Sequence, residues 1–170
     1  TQNPIEYLGT YPLPEAQLDR FLMRISLGYP EAAEERRLLV SGGADRALAS
    51  VRPVLSAEEV RRAQEAVEAV GFADKLLDYV MEIVQRTRGS RDLVLGVSPR
   101  GAQGFFRAVQ AHALVAGRPF ATPDDVKKVA PAVLAHRILA SATGRYEGTG
   151  AGRREREAVR KILEEVAVPL

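Results

Sequence analysis

Two rhythms of apolar residues divide this chain. Between Arg20 and Leu27 they alternate, with Phe21, Met23, Ile25 and Leu27 on one side. Period two over that length predicts a strand. A short helical turn is expected just before it, at Glu15 to Asp19, after Pro12 and Pro14. Gly28-Tyr29-Pro30 ends the strand, and helical spacing takes over. Glu31 to Val40 predicts a short charged helix, stopped by Ser41-Gly42-Gly43. Residues 44 to 55 read as a loop with a turn of helix at 45 to 49. Ser56 and Glu59 fit a capping box. The helix they start carries Val60, Ala63, Val67 and Val70 on one face and stops at Gly71. Asp74 opens the next, with Leu76, Leu77, Val80, Ile83 and Val84 inward and Gly89 at its end.

Asp92 to Val97 reads as a short strand. A long helix from Ser98 buries Ala102, Phe105, Phe106, Val109 and Ala113 and runs up to Gly117. Thr122-Pro123-Asp124-Asp125 is a second capping box, with Pro at the first helical position and Asp at the third. Its helix buries Val126, Val129, Val133 and Leu134, and Pro131 should kink or interrupt it. His136 to Ser141 is a candidate second strand, able to pair with Asp92 to Val97. Residues 143 to 152 are glycine-rich and expected to be mobile. Arg153 to Val166 is a final amphipathic helix with Val159, Ile162, Leu163 and Val166 inward. From Pro30 onward the pattern is a bundle of about five helices with a candidate two-stranded ribbon. Phe105 and Phe106 fit helix periodicity and are read as core. The strand at 20 to 27 has no obvious partner and cannot make a core alone.

Composition narrows the chemistry. The chain has 170 residues, 46% apolar and 27% charged, as expected of a globular domain. It has no Cys, which excludes disulfides and thiolate chemistry. Its two His, His112 and His136, lie far apart, so no metal site is expected. There is no apolar run long enough to span a membrane. With no visible signal peptide, the expected location is cytoplasmic. The start at Thr1 is read as that of a fragment. A net charge of +2 does not by itself argue for nucleic acid.

Ser98-Pro99-Arg100-Gly101 carries the first chemical signal. Ser98 suits an N-cap and Pro99 the first helical position. Arg100 then falls in the first turn, beside unpaired N–H groups and the positive end of the helix dipole. A cation there calls for a compensating anion, and phosphate is the natural one. The plain alternative is an Arg that pairs with a carboxylate or points into water.

Three segments, read together, carry a resemblance. They are Thr1-Gln2-Asn3-Pro4-Ile5-Glu6, the run from Gly9-Thr10-Tyr11-Pro12 through Leu18-Asp19-Arg20-Phe21, and Gly96-Val97-Ser98-Pro99-Arg100. The segment from Thr122 to Arg137 is also similar. The chain resembles the C-terminal half of a MoxR-type AAA+ ATPase, a relative of magnesium chelatase subunits. The resemblance implies a mainly α fold: a helical-bundle AAA+ lid at 29–170 with a candidate two-stranded ribbon, preceded at 1–28 by a small remnant of the α/β AAA+ core. It implies that Asn3 is sensor 1, which orients the attacking water. It implies that Arg20 is the arginine finger, reaching a neighbouring subunit's nucleotide, with nearby Arg24 as the competitor. It implies that Arg100 is sensor 2, touching nucleotide from the lid. Plainer roles remain for each: a turn residue for Asn3, and an ion pair with Asp19 for Arg20. ATP and Mg2+ are expected in the parent protein, a ring, usually a hexamer, and protein clients, possibly those with von Willebrand factor A domains.

No G-x-x-x-x-G-K-[ST] occurs, and no acidic strand end precedes Asn3. The chain alone is therefore expected neither to bind ATP tightly nor to hydrolyse it. The strand at 21 to 27 would be disordered, refolded against the lid, or paired between molecules. A competing reading is a helical nucleic-acid module using Lys127, Lys128, Arg153, Arg154 and Arg156. Those cations interleave with Asp124, Asp125, Glu155 and Glu157, which reads as a solvated face, so nucleic acid is not the expected partner. A plain helical adaptor would leave the three matching segments as coincidence.

Overall fold

The computed structural model describes residues 13–40, 48–142 and 152–169. Residues 1–12, 41–47, 143–151 and 170 lie outside the described set, and with them Asn3, most of the turn expected at 45 to 49 and the glycine-rich segment expected to be mobile. The chain divides into two compact units, Ile25–Glu65 and the remainder.

In the first unit, α2 (Ala32–Val40) buries no residue and carries an Arg37–Glu34 ion pair of 3.2 Å. The helix α3 (Ala57–Glu68), most of which belongs to this unit, begins with the capping box expected from sequence. The Ser56 N–H and Oγ donate to Glu59 at 2.6 and 2.7 Å, and the Glu59 N–H returns to Ser56 Oγ at 3.2 Å. These reciprocal bonds satisfy donors that a bare helix end would leave open.

The other unit holds the core. Its elements in chain order are α1 (Glu15–Leu18), α4 (Asp74–Gly89), β1 (Leu93–Leu95), α5 (Pro99–Val115), α6 (Pro123–Leu134), a 3-10 turn (Ala135–Arg137), β2 (Leu139–Ala140) and α7 (Arg153–Glu165). Tyr79, Val80, Ile83 and Val84 of α4 meet Phe105 and Val109 of α5, Val126, Val133 and Leu134 of α6, and Val159 and Ile162 of α7. The apolar stripes expected in α4 to α7 are thus largely the buried faces, although Leu77 is exposed, whereas the stripe expected along α3 is not buried at Val60, Ala63 or Val67. Pro131 does not interrupt α6, which runs as one helix. The ribbon forms as expected, antiparallel, with Leu93 opposite Ala140 and Leu95 opposite Leu139. It is shorter than the sequence suggests, because His136 and Arg137 belong to the 3-10 turn.

Two further expectations are corrected. Residues 21 to 27 form no strand. Among the described residues no second strand meets this segment. Instead the Arg24 N–H donates to the Ala132 carbonyl at 2.8 Å, at the end of α6. Residues 21 to 24 are therefore held against the helical bundle. Phe106 is half-buried, not core like fully buried Phe105. Its ring packs on Phe72 at a centroid distance of 4.6 Å, and Arg107 lies over it at 5.8 Å.

Candidate functional site

The turn between β1 and α5 is built to present Ser98 and Arg100. The Val97 N–H donates to Thr87 Oγ1 at 3.0 Å, and Arg88 Nε donates to the Val97 carbonyl at 2.8 Å. Gly96 makes this approach feasible: a Cβ there would stand 2.7 Å from the Arg88 Cα. Ser98 then caps α5 as expected, its Oγ accepting from the Gly101 N–H at 2.9 Å. The same hydroxyl donates to the Asp19 carboxylate, 2.9 and 3.0 Å from its two oxygens. One side chain thus fastens the helix start to the turn that carries Arg20.

Arg137 completes the fastening from the other side. Its side chain is only 3% exposed. Nη1 donates to the carbonyls of Leu22, at 2.9 Å, and Val133; Nη2 donates to those of Phe21 and, weakly at 3.4 Å, Asp19. Nε faces the Asp19 carboxylate at 3.3 Å, an ion pair not aligned as a hydrogen bond. Gly101 leaves room for this guanidinium, since a Cβ there would stand 2.8 Å from Arg137 Cδ. Burial is the largest influence on the Arg137 pKa and lowers it; Asp19 opposes, and the charge of Arg100 lowers it further. An Arg remains charged regardless.

These contacts shape a cleft of about 990 Å³. One wall is Leu77, Val80 and Met81 of α4; the other is the α5 face from Pro99 to Arg107, with Phe106. Arg20, Arg88, Arg100, Arg107 and Arg137 all line it, against a single acid, Asp19. Arg20 and Arg100 are exposed, and among the described residues their side chains make no hydrogen bond or ion pair. The alternative of an Arg20–Asp19 pair is not formed; Asp19 is instead bound by Ser98 and paired with Arg137. Arg24, the competitor for the Arg20 role, does not line the cleft; its guanidinium lies against Gly152.

The donor set suits an anion. Unpaired guanidinium groups over an apolar wall match a phosphate-bearing ligand. It does not suit a divalent cation: the one acid is engaged, and no group of three metal-ligating side chains occurs among the described residues. Sequence reasoning missed Arg137 as a site residue. The available signal was its place at the end of the similar segment from Thr122.

A helical lid next to a stretch of AAA core is the class these features define. The AAA lid domain pattern matches residues 85–162, and that of the ATPase family associated with various cellular activities (AAA) matches residues 1–23. The chain belongs to the MoxR-type AAA+ ATPases. It is 37% identical over 178 residues to Chaperone MoxR1 of Mycobacterium tuberculosis, covering 99% of this chain and 46% of that protein. It is 41% identical over 170 residues to the uncharacterized protein YeaC of Bacillus subtilis, covering 100% of this chain and 52% of that one. A solved structure from Cytophaga hutchinsonii, described as a candidate ATPase, superposes with a TM-score of 0.79 at 29% identity, over 99% of this chain and 53% of its own. The chain spans about half the length of the curated relatives it matches.

Proposed function

We propose that this chain is the nucleotide-sensing lid of an ATP-hydrolysing machine that remodels or matures protein partners. Residues 1–28 close the ATPase core and 29–170 form the lid in this reading. The observation that carries it is the cleft where Arg20 and Arg100 stand exposed and unpaired among the described residues. Arg100 acts as sensor 2, at the first turn of a helix whose N–H groups favour the same anion. Arg20 acts as the arginine finger, and Asn3 as sensor 1. ATP supplies the γ-phosphoryl group for transfer to water, and catalysis consists mostly of positioning and of countering charge on its oxygens. Mg2+ would be held with the nucleotide by parts of the protein beyond this chain. The parent assembles as a ring, a hexamer by family habit, works in the cytoplasm, and serves protein clients such as those with von Willebrand factor A domains. No helix among the described residues is long and apolar enough to cross a membrane.

A second reading of Arg20 is favoured by one fact: it shares the cleft of a single chain with Arg100. Both cations would then serve one nucleotide, and the finger would act within its own subunit.

The first test is a titration of the 170-residue chain with a fluorescent ATP analogue and magnesium. No binding is expected up to millimolar nucleotide, since no phosphate loop is present. In the full-length protein, Arg20→Ala should lower kcat at least about a hundredfold, and Arg100→Ala should raise KM as well. Micromolar binding by the isolated chain, or full activity in both variants, would sink the reading. Mixing Arg20→Ala subunits with subunits that cannot bind nucleotide separates the two roles: activity recovers if the finger acts on a neighbour and stays lost if it acts at home.

A further inference from the structure

The cleft cations stand on different parts of the chain, Arg100 on α5 and Arg20 on the turn after α1. Neither is anchored by its own side chain among the described residues. Whatever fixes their separation must act through the backbone beneath them. That backbone is held against the end of α6 and the 3-10 turn, where His136 and Ala132 add one bond each and Arg137 makes the rest. Arg137, buried and far away in sequence, binds the carbonyls of Asp19, Phe21 and Leu22 on both sides of Arg20. Asp19 is bound in turn by Ser98, the cap of the helix that carries Arg100.

We infer that Arg137 is a positioning residue: with Asp19 and Ser98 it sets where Arg20 stands relative to Arg100. This rests on the nucleotide-site reading above. Three features support it. The planar fork of a guanidinium can hold several carbonyls at once, which a Lys ammonium cannot do in the same geometry. The site is kept open for it by Gly101, the glycine of the Ser98-Pro99-Arg100-Gly101 turn. A buried charge is retained at a desolvation cost, and the contacts it makes here all fall on the helix end at Val133 or on the residues flanking Arg20.

The test is steady-state ATP hydrolysis by the full-length protein carrying Asp19→Asn, Arg137→Lys, Arg20→Ala, and each of the first two combined with Arg20→Ala. Asp19→Asn keeps the shape of a half-buried side chain, so it carries the test if Arg137→Lys does not fold. The expected result is a kcat at least tenfold lower for Asp19→Asn and Arg137→Lys, with KM for ATP within twofold. Combining either with Arg20→Ala should cost nothing beyond Arg20→Ala alone, because both act through that residue. A merely structural role would lower activity again in the double variant. Normal kcat in Asp19→Asn, or additive losses in the doubles, would overturn the inference while leaving a crippled Arg20→Ala to uphold the site. A silent Arg20→Ala would sink the site reading and this inference with it.

Discussion

Two buried nodes of this molecule use the same chemistry at different range. In one, Asp125 accepts from Arg118 Nη1 at 2.7 Å, from the Thr122 N–H at 2.8 Å and lies 2.6 Å from His112 Nδ1. All of its members lie between positions 112 and 125, and none lines the cleft. In the other, Arg137 gathers Asp19, Phe21 and Leu22 from more than a hundred positions away. The first closes a corner between successive helices and is structural. The second joins two distant pieces of chain, and both pieces carry cleft cations. Among the described residues, a carboxylate paired with an Arg is thus no guide to function; which segments it unites is.

The largest effect should come from breaking the short-range node. Asp125→Ala leaves Arg118 and His112 without their partner and removes the cap of α6, at a cost of about 3 kcal/mol. Urea unfolding of the chain measures it. Burial would push the Asp125 carboxyl up, but hydrogen bonds from Arg118, Thr122 and His112 outweigh it and hold the group well below the usual carboxylate range. A depressed folded pKa means stability that is present above the unfolded value near 4 and lost as pH falls below it. The gap between the native chain and Asp125→Ala should therefore narrow from pH 5 to pH 3. A constant gap would mean that the charge of Asp125 is not what the node uses.

Next in size is a break confined to the long-range node. Gly101→Ala places a Cβ 2.8 Å from Arg137 Cδ and 3.0 Å from Val97 Cγ1, so the guanidinium must shift. The cost is about 1–3 kcal/mol, typical of an overpacked site. Amide exchange should show where. The Arg24 N–H, bound to Ala132 at 2.8 Å, should lose protection, while the Thr122 N–H in the other node should keep it. Equal loss at both would mean that the nodes are one cooperative unit.

The same contrast in range governs what could be read from the sequence. Ser56 with Glu59, Ser98 with Gly101, and Thr122 with Asp125 are caps whose partners lie within three positions, and all three form. The stripes of α4 to α7 are legible because periodicity is local, and they fix which faces of those helices make the core. The ribbon needed only two short apolar runs able to meet. Residues 20 to 27 form no strand despite their alternation, because alternation specifies extended backbone but not a pairing partner. Its actual partners are Ala132, His136 and Arg137. Arg20 and Arg100 were named from sequence, and they do line one cleft. That Asp19 would turn from Arg20 to Arg137 could not be read, since nothing near either residue encodes a contact across more than a hundred positions.

The smallest effect separates the two nodes on the pH axis. His136 sits beside Arg137, its ring buried, with Nε2–H donating to the Phe21 carbonyl at 3.0 Å. Burial is the main cause that lowers its pKa; the Phe21 carbonyl opposes, and the charges of Arg137 and Arg24 add to the lowering. With the folded pKa below the unfolded one, the unfolded chain binds the extra proton first, so stability rises with pH through this window. The contribution is present above the unfolded value near 6.5 and is lost as pH falls below it. Melting temperature should therefore drop modestly from pH 7.5 to 5.5. His136→Gln keeps a donor for Phe21 but has nothing to titrate, and should flatten that slope. The long-range node would then loosen in mild acid, where Asp125 is still fully ionised and the short-range node holds. An unchanged slope in His136→Gln would place the titrating group elsewhere and leave the two nodes alike in their response to pH.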